Sequence, residues 1–149
     1  MKRLRVFIAG PYSAYGASHH DAARQAYQNT REAIRVATVV LERGHWPFIP
    51  HLTHFFQLEQ DRDYGNLYYA WDNAYLDVCE AIVQFETSPG ADNEYARAAS
   101  NDMWLFYNPH LIPLAEDLPE HLNVRSTPVE LFPVREVIGT RAEPIGKPS

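Results

Sequence analysis

The chain has 149 residues, enough for one domain with a real core and too few for two comfortable ones. Hydrophobic residues make up 46% and the formal net charge is −6, which excludes compositional disorder and argues against wholesale binding to a nucleic acid polymer or an anionic membrane. One cysteine, Cys79, forms no internal disulfide and suits a reducing cytoplasm.

The opening MKRLRVFIAG carries a short apolar run. It is too short for a signal or membrane segment and reads as a first strand, Arg5–Ala9, stopped by Gly10 and Pro11. PYSAYGASHH follows as a loop. Asp21 is placed to cap a helix over about 22–43, with Ala26, Ala33, Val36, Ala37 and Val40 as its apolar face and Gly44 as its C-terminal stop. HWPFIPH predicts a short second strand, at an edge or with irregular ends because of Pro47 and Pro50. LTHFFQLEQDRDYGN is part helix and part loop. Leu67, Trp71, Ala74, Tyr75 and Val78 predict the buried face of a helix over about 66–79. AIVQF predicts a third strand and SPGADNEYARAASND a helix whose face of small residues, Ala91, Ala98 and Ala99 with Tyr95, lets it lie close to a sheet. MWLFY is a fourth strand and STPVELFPV a candidate fifth; GTRAEPIGKPS reads as a loose tail.

Strands alternating with helices predict an α/β domain with a mostly parallel sheet and right-handed crossovers. Ligands of such sheets bind beyond the carboxyl ends of the strands. Gly10, Pro11, Tyr12 and Ser13, then Pro50 and His51, then Thr87, Ser88 and Gly90 are therefore expected around one cleft.

Ser88 suits an N-cap and Pro89 the first helical position. Gly90 leaves the backbone open to an anion or a sugar hydroxyl. Glu94 follows one turn in. Most helical glutamates are solvated, and Arg97 at i+3 offers an ordinary surface partner. Asp72 neighbours the predicted buried face of the preceding helix, whereas Asp77 and Glu80 read as surface acids. Two acids from different elements, meeting over a cleft with aromatic walls, suit chemistry at a glycosidic carbon.

The motifs VFIAGPYS at 6–13, Asn29, GHWPFIPHLTHF at 44–55, WDNAYLDVCEAIV at 71–83 and SPGADNEYARA at 88–98 resemble the nucleoside 2-deoxyribosyltransferase-like superfamily. That group holds the deoxyribosyltransferases and the 2'-deoxynucleoside 5'-monophosphate N-glycosidases. The resemblance covers about residues 5–107 and implies a Rossmann-like (flavodoxin-like) three-layer domain with a four- or five-stranded sheet. Residues 1–149 then form a single domain, with a Pro-rich C-terminal extension over 108–149. The resemblance assigns Glu94 as the nucleophile at C1', Asp72 as the acid that contacts the sugar and assists proton transfer, and Tyr12 as the residue that orients the nucleophile. It gives Ser88 and Gly90 to the phosphate- or sugar-binding turn. Gly10, Pro11, Ser13 and His51 join them as substrate-binding residues. Water completing the reaction gives a hydrolase; a second base gives a transferase. The first loop lacks the arginine that monophosphate hydrolases of this group often carry, and His19, His20, Ser13 and the Ser88 turn are less obvious holders of a phosphate.

His45, His51 and His54 suggest a metal cluster, but no third ligand follows at a convincing spacing; His51 and His54 read as neutral groups lining the cleft. Tyr64, Tyr68, Tyr69, Trp71 and Tyr75 form an aromatic band shared among core, dimer contact and a stacking face for a base. Cys79 reads as a buried small residue. The expectation is thus a cytoplasmic enzyme, without metal or organic cofactor, acting on a nucleoside or nucleotide as a homodimer or higher oligomer. The rivals are a nucleotide-binding or sensing module without turnover and a structural partner protein on the same fold.

Overall fold

The computed structural model describes residues 1–13 and 19–137. Four strands form one parallel sheet in the order β2-β1-β3-β4: β1 (Arg5–Ala9), β2 (Trp46–Phe48), β3 (Ala81–Gln84) and β4 (Trp104–Phe106). Four helices accompany them: α1 (His19–Glu42), α2 (Thr53–Leu58), α3 (Leu67–Leu76) and α4 (Pro89–Ser100). The order is that of a flavodoxin-like sheet without its last strand. The expected α/β, three-layer arrangement is what the chain adopts.

β1 and β3 are the central strands, and their side chains alternate between two cores. Val6, Ile8, Ala81 and Val83 face α1 through Ala33, Val36, Ala37 and Val40. Phe7, Ala9 and Ile82 face Leu76 at the end of α3 and Ala91 and Ala98 of α4. One connection, β1 to β2, runs leftward along the sheet with α1 on the first face. The connections through α3 and α4 run rightward on the second face. Opposite directions on opposite faces are what a uniform crossover handedness requires.

Local chemistry sets the boundaries. α1 ends in a Schellman motif: Gly44 has φ +90, its N–H bonds Leu41 O at 2.9 Å, and His45 N–H bonds Val40 O at 3.1 Å. A Cβ on Gly44 would also lie 2.8 Å from that of Ala115. Pro47 falls in β2, an edge strand, where a missing N–H is tolerated. At its other end α1 starts earlier than expected, so Asp21 lies inside the first turn rather than capping it.

Two expectations fail. STPVELFPV does not add a fifth strand among the described residues: Pro128 introduces a 3₁₀ turn at Val129–Leu131, and Pro128 and Pro133 have no N–H to give a sheet ladder. The buried side of α3 is also not the predicted one. Tyr68, Asp72 and Leu76 are buried, while Leu67, Trp71, Tyr75 and Val78 are exposed.

The segment after β4 packs tightly although it is weakly patterned. Ile112, Leu118 and Val124 enter the α1-side core. His45, fully buried, accepts Leu4 N–H on Nδ1 at 3.0 Å and donates from Nε2 to Pro113 O at 2.7 Å. Trp104 Nε1 donates to Thr127 O at 2.8 Å, and Arg43 Nε donates to Ile112 O. The tail predicted at 139–149 lies outside the described residues. Among the described residues, no helix is long and apolar enough to cross a membrane.

Candidate active site

The carboxyl ends of β1, β2 and β3 open onto a cavity of about 190 Å³. Gly10, Tyr12 and Ser13 line it from the loop after β1. Pro50 and His51 come from a 3₁₀ turn after β2, and Ser88, Gly90 and Glu94 from the start of α4. Asp72 reaches it from α3. Of the residues expected around the cleft, Gly10, Tyr12, Ser13, Pro50, His51, Asp72, Ser88, Gly90 and Glu94 line one space; Pro11 and Thr87 do not, and the side chain of His54 lies outside the described residues. Pro11 acts one step back: its carbonyl lies 3.0 Å from His51 Nε2 and fixes that ring.

The turn into α4 forms as its residues dictate. Ser88 is extended (φ −161, ψ 162), and its Oγ accepts Ala91 N–H at 3.1 Å. Pro89 takes the first helical position. Gly90 is bare, with nothing within 4 Å of where a Cβ would sit, so its backbone faces open space. Gly10 serves the opposite purpose, since a Cβ there would lie 2.1 Å from the Phe85 ring. Its bareness lets Phe85 close beneath the first loop. Asn29, itself buried, donates to Tyr12 O at 3.1 Å and ties that loop to α1.

Glu94 does not pair with Arg97. Arg97 turns away to make a two-pronged bond to Asp77, with both contacts at 2.7 Å. Glu94 is left half-buried, with Oε2 buried and without a hydrogen-bond partner. Burial pushes its carboxyl from the ordinary 4.5 up to about 8, and the nearby Asp72 charge adds to the rise. Asp72 is buried too, and desolvation raises it to about 7. Thr53 opposes that rise weakly: its hydroxyl is 3.4 Å from Asp72 Oδ1 but 2.7 Å from Pro50 O, and it has one proton to give. Between pH 7 and 8 the two carboxyls hold about one proton between them. Two acids poised in this way in a cleft fit acid–base work combined with nucleophilic attack.

Tyr12 stands edge-on to His51, with ring centroids 6.1 Å apart, and burial keeps its phenol neutral. Burial also lowers the His51 pKa, which leaves it neutral as expected. Cys79 is buried, its thiol is pushed up to about 12 by desolvation, and Sγ donates to Tyr75 O at 3.2 Å. No group of three or more His, Cys, Asp or Glu gathers at metal-binding distance among the described residues. The His45 ring is committed to Leu4 and Pro113 in the core, and the side chains of His19, His20 and His54 lie outside the described residues.

Sequence reasoning missed Thr53, Asn73 and the roles of Tyr68 and Tyr69 at this site. Tyr68 and Tyr69 stand four and three residues before Asp72, on its side of the helix, so placing Asp72 inward was the available signal. Thr53 lacked any local signal, because its contact with Asp72 spans two helices.

Comparison with known proteins adds a family and no activity. No curated protein matches the chain. A family model covers residues 4–104, from the first strand into the fourth, and so spans the whole cavity. The chain belongs to the family described as a domain of unknown function, DUF1937.

Proposed function

We propose that this protein cleaves or exchanges the N-glycosidic bond of a nucleoside or nucleoside 5'-monophosphate, in line with its resemblance to the nucleoside 2-deoxyribosyltransferase-like superfamily. The observation that supports this most is the pair Asp72 and Glu94. They come from different helices into one cavity at the strand ends, and Glu94 keeps a buried oxygen without a partner. A solvated surface acid has no reason to be so placed.

In this scheme the ionised Glu94 attacks C1' and forms a C1'–O ester bond as the bond from C1' to the base breaks. The electron pair leaves with the base nitrogen, and the Asp72 carboxyl supplies its proton. Asp72, now ionised, takes a proton from water or from a second base. That nucleophile then displaces Glu94 and restores both carboxyls. Tyr12 orients Glu94, and His51 helps to hold the sugar. The cavity is smaller than the about 300–1,000 Å³ of drug-sized pockets. It therefore encloses the sugar and leaves the base at the mouth, against the exposed ring of Tyr69. No metal or organic cofactor takes part.

The direct test is chromatography of free base after incubation with the common nucleosides and their 5'-monophosphates, ribo and deoxy, with a second base as acceptor. Wild-type protein releases base and Glu94→Ala does not; a new nucleoside identifies a transferase. Absence of release throughout the panel, from folded protein, removes the proposal.

We further infer a cytoplasmic homodimer or higher oligomer. The exposed α3 side chains Leu67, Trp71 and Tyr75 are the surface that a second copy would cover. A monomer mass in sedimentation equilibrium removes that inference.

A further inference from the structure

The cavity holding Asp72 and Glu94 is lined by buried acceptors and, among the described residues, by no lysine or arginine. Glu94 Oε2 is buried without a partner. So is Nδ1 of His51, a residue only 2% exposed. Because His51 Nε2 faces the Pro11 carbonyl at 3.0 Å, and a carbonyl only accepts, the proton sits on Nε2 and Nδ1 is an acceptor. Among the described residues, Asp72 has the long Thr53 contact at 3.4 Å. Three side chains of the lining thus await hydrogen-bond donors.

Ser13, Tyr69 and Asn73 carry hydroxyl or amide donors, but positive charge is scarce among the described residues. No Lys or Arg lines the cavity among the described residues, and residues 14–18, AYGAS, contain none. The Tyr68 hydroxyl donates to Gln57 Oε1 at 2.5 Å. The start of α4 looks like an anion site but is largely spent. Pro89 has no N–H, and Ala91 N–H is given to Ser88 Oγ at 3.1 Å. Of its first three residues only Gly90 keeps an N–H for a ligand.

A phosphate dianion brings acceptor oxygens and negative charge, both already in excess here. A sugar brings hydroxyl protons and no charge. We propose that the site takes uncharged nucleosides with a free 5'-hydroxyl and discriminates against their 5'-monophosphates, its lining supplying acceptors for hydroxyl groups and no cation for a phosphate. The proposal deepens the glycosidic reading and rests on it for turnover. The rise in both carboxyl pKa values has the same origin, a buried site without compensating cations.

The test compares each nucleoside with its own 5'-monophosphate in two ways: base release by wild-type protein, and calorimetric binding to Glu94→Gln. The expected result is kcat/KM at least about 100-fold higher for nucleosides, since about 2.7 kcal/mol of unfavourable charge burial already gives that ratio. Equal or faster release from monophosphates overturns this proposal and keeps the glycosidic reading. Release from neither, with Glu94→Gln binding nucleosides and not monophosphates, keeps the ligand assignment and overturns the reaction. Neither release nor binding overturns both.

Discussion

Replacing Glu94 by Gln should stabilise this protein, and only above acidic pH. The folded chain holds the Glu94 proton up to about pH 8, whereas the unfolded chain releases it near 4.5. Between those values the folded state binds more protons, so stability falls as pH rises. At about 1.4 kcal/mol per pH unit, the span from 4.5 to about 8 gives about 4–5 kcal/mol by pH 8, and solvent screening of the half-buried carboxyl reduces it to about 2–4 kcal/mol. Gln has the same shape and no charge. The variant should therefore match wild type at pH 4 and exceed it at pH 8 by about 2–4 kcal/mol, or about 6–12 °C in melting temperature. Chemical denaturation and thermal melts from pH 4 to 9 measure this. A gain in stability on losing an active-site acid is the usual sign of a site held against the interest of the fold. Parallel pH profiles, or a variant weaker than wild type at pH 8, would refute the reasoning and return Glu94 to an ordinary solvated role.

Further outcomes follow from the same geometry. The productive pair needs Glu94 ionised and Asp72 protonated, so kcat/KM should rise and then fall with pH, with its maximum between about 7 and 8. In Asp72→Asn the alkaline limb should vanish and only an acid limb, the ionisation of Glu94, should remain. Gly90→Ala should fold with equal or greater stability, by up to about 1 kcal/mol, yet raise KM, since the new methyl enters the open cavity. Gly10→Ala should instead lose about 1–3 kcal/mol, because its methyl meets the Phe85 ring. His45→Leu should cost about 1–3 kcal/mol by stranding Leu4 N–H. Burial lowers the His45 pKa below 6.5, so its contribution is present above that pH and lost as pH falls below it. Acid melts of the variant should lack the wild-type drop between pH 6.5 and 5, and an unchanged drop would assign it elsewhere.

Much of this architecture is legible in the chain because short-range rules dominate it. RVFIA is a central strand, buried on both faces, and reads as a continuous apolar run. Gly44 and the Ser88-Pro89 pair mark helix ends through backbone chemistry that acts within a few residues. The rule for parallel sheets then gathers the loops after three strands, and the cavity forms there.

What periodicity could not supply is the inward row of α3. Tyr68, Asp72 and Leu76 share one side at i, i+4 and i+8, and the middle member is a carboxylate. A hydrophobic pattern scores that row as polar and selects the aromatic side. Those aromatics are instead partly sheltered by one another: Tyr75 stacks on Phe48 at 4.8 Å, and Trp71 meets Phe56 edge-on at 5.5 Å. The same limit applies to Arg97. Its i+3 spacing points to Glu94, but Asp77 offers both oxygens from another element, and a two-pronged bond prevails over a local single one. A local pattern breaks where the site needs an uncompensated acid.

The central claim is an ester between Glu94 and C1' of the sugar. Acid quenching of a turning-over reaction, followed by peptide mass spectrometry, tests it most directly. The added mass of one sugar residue is expected on the peptide containing Glu94, lost in Glu94→Gln. Base release with no adduct, or an adduct carried by another residue, would contradict it.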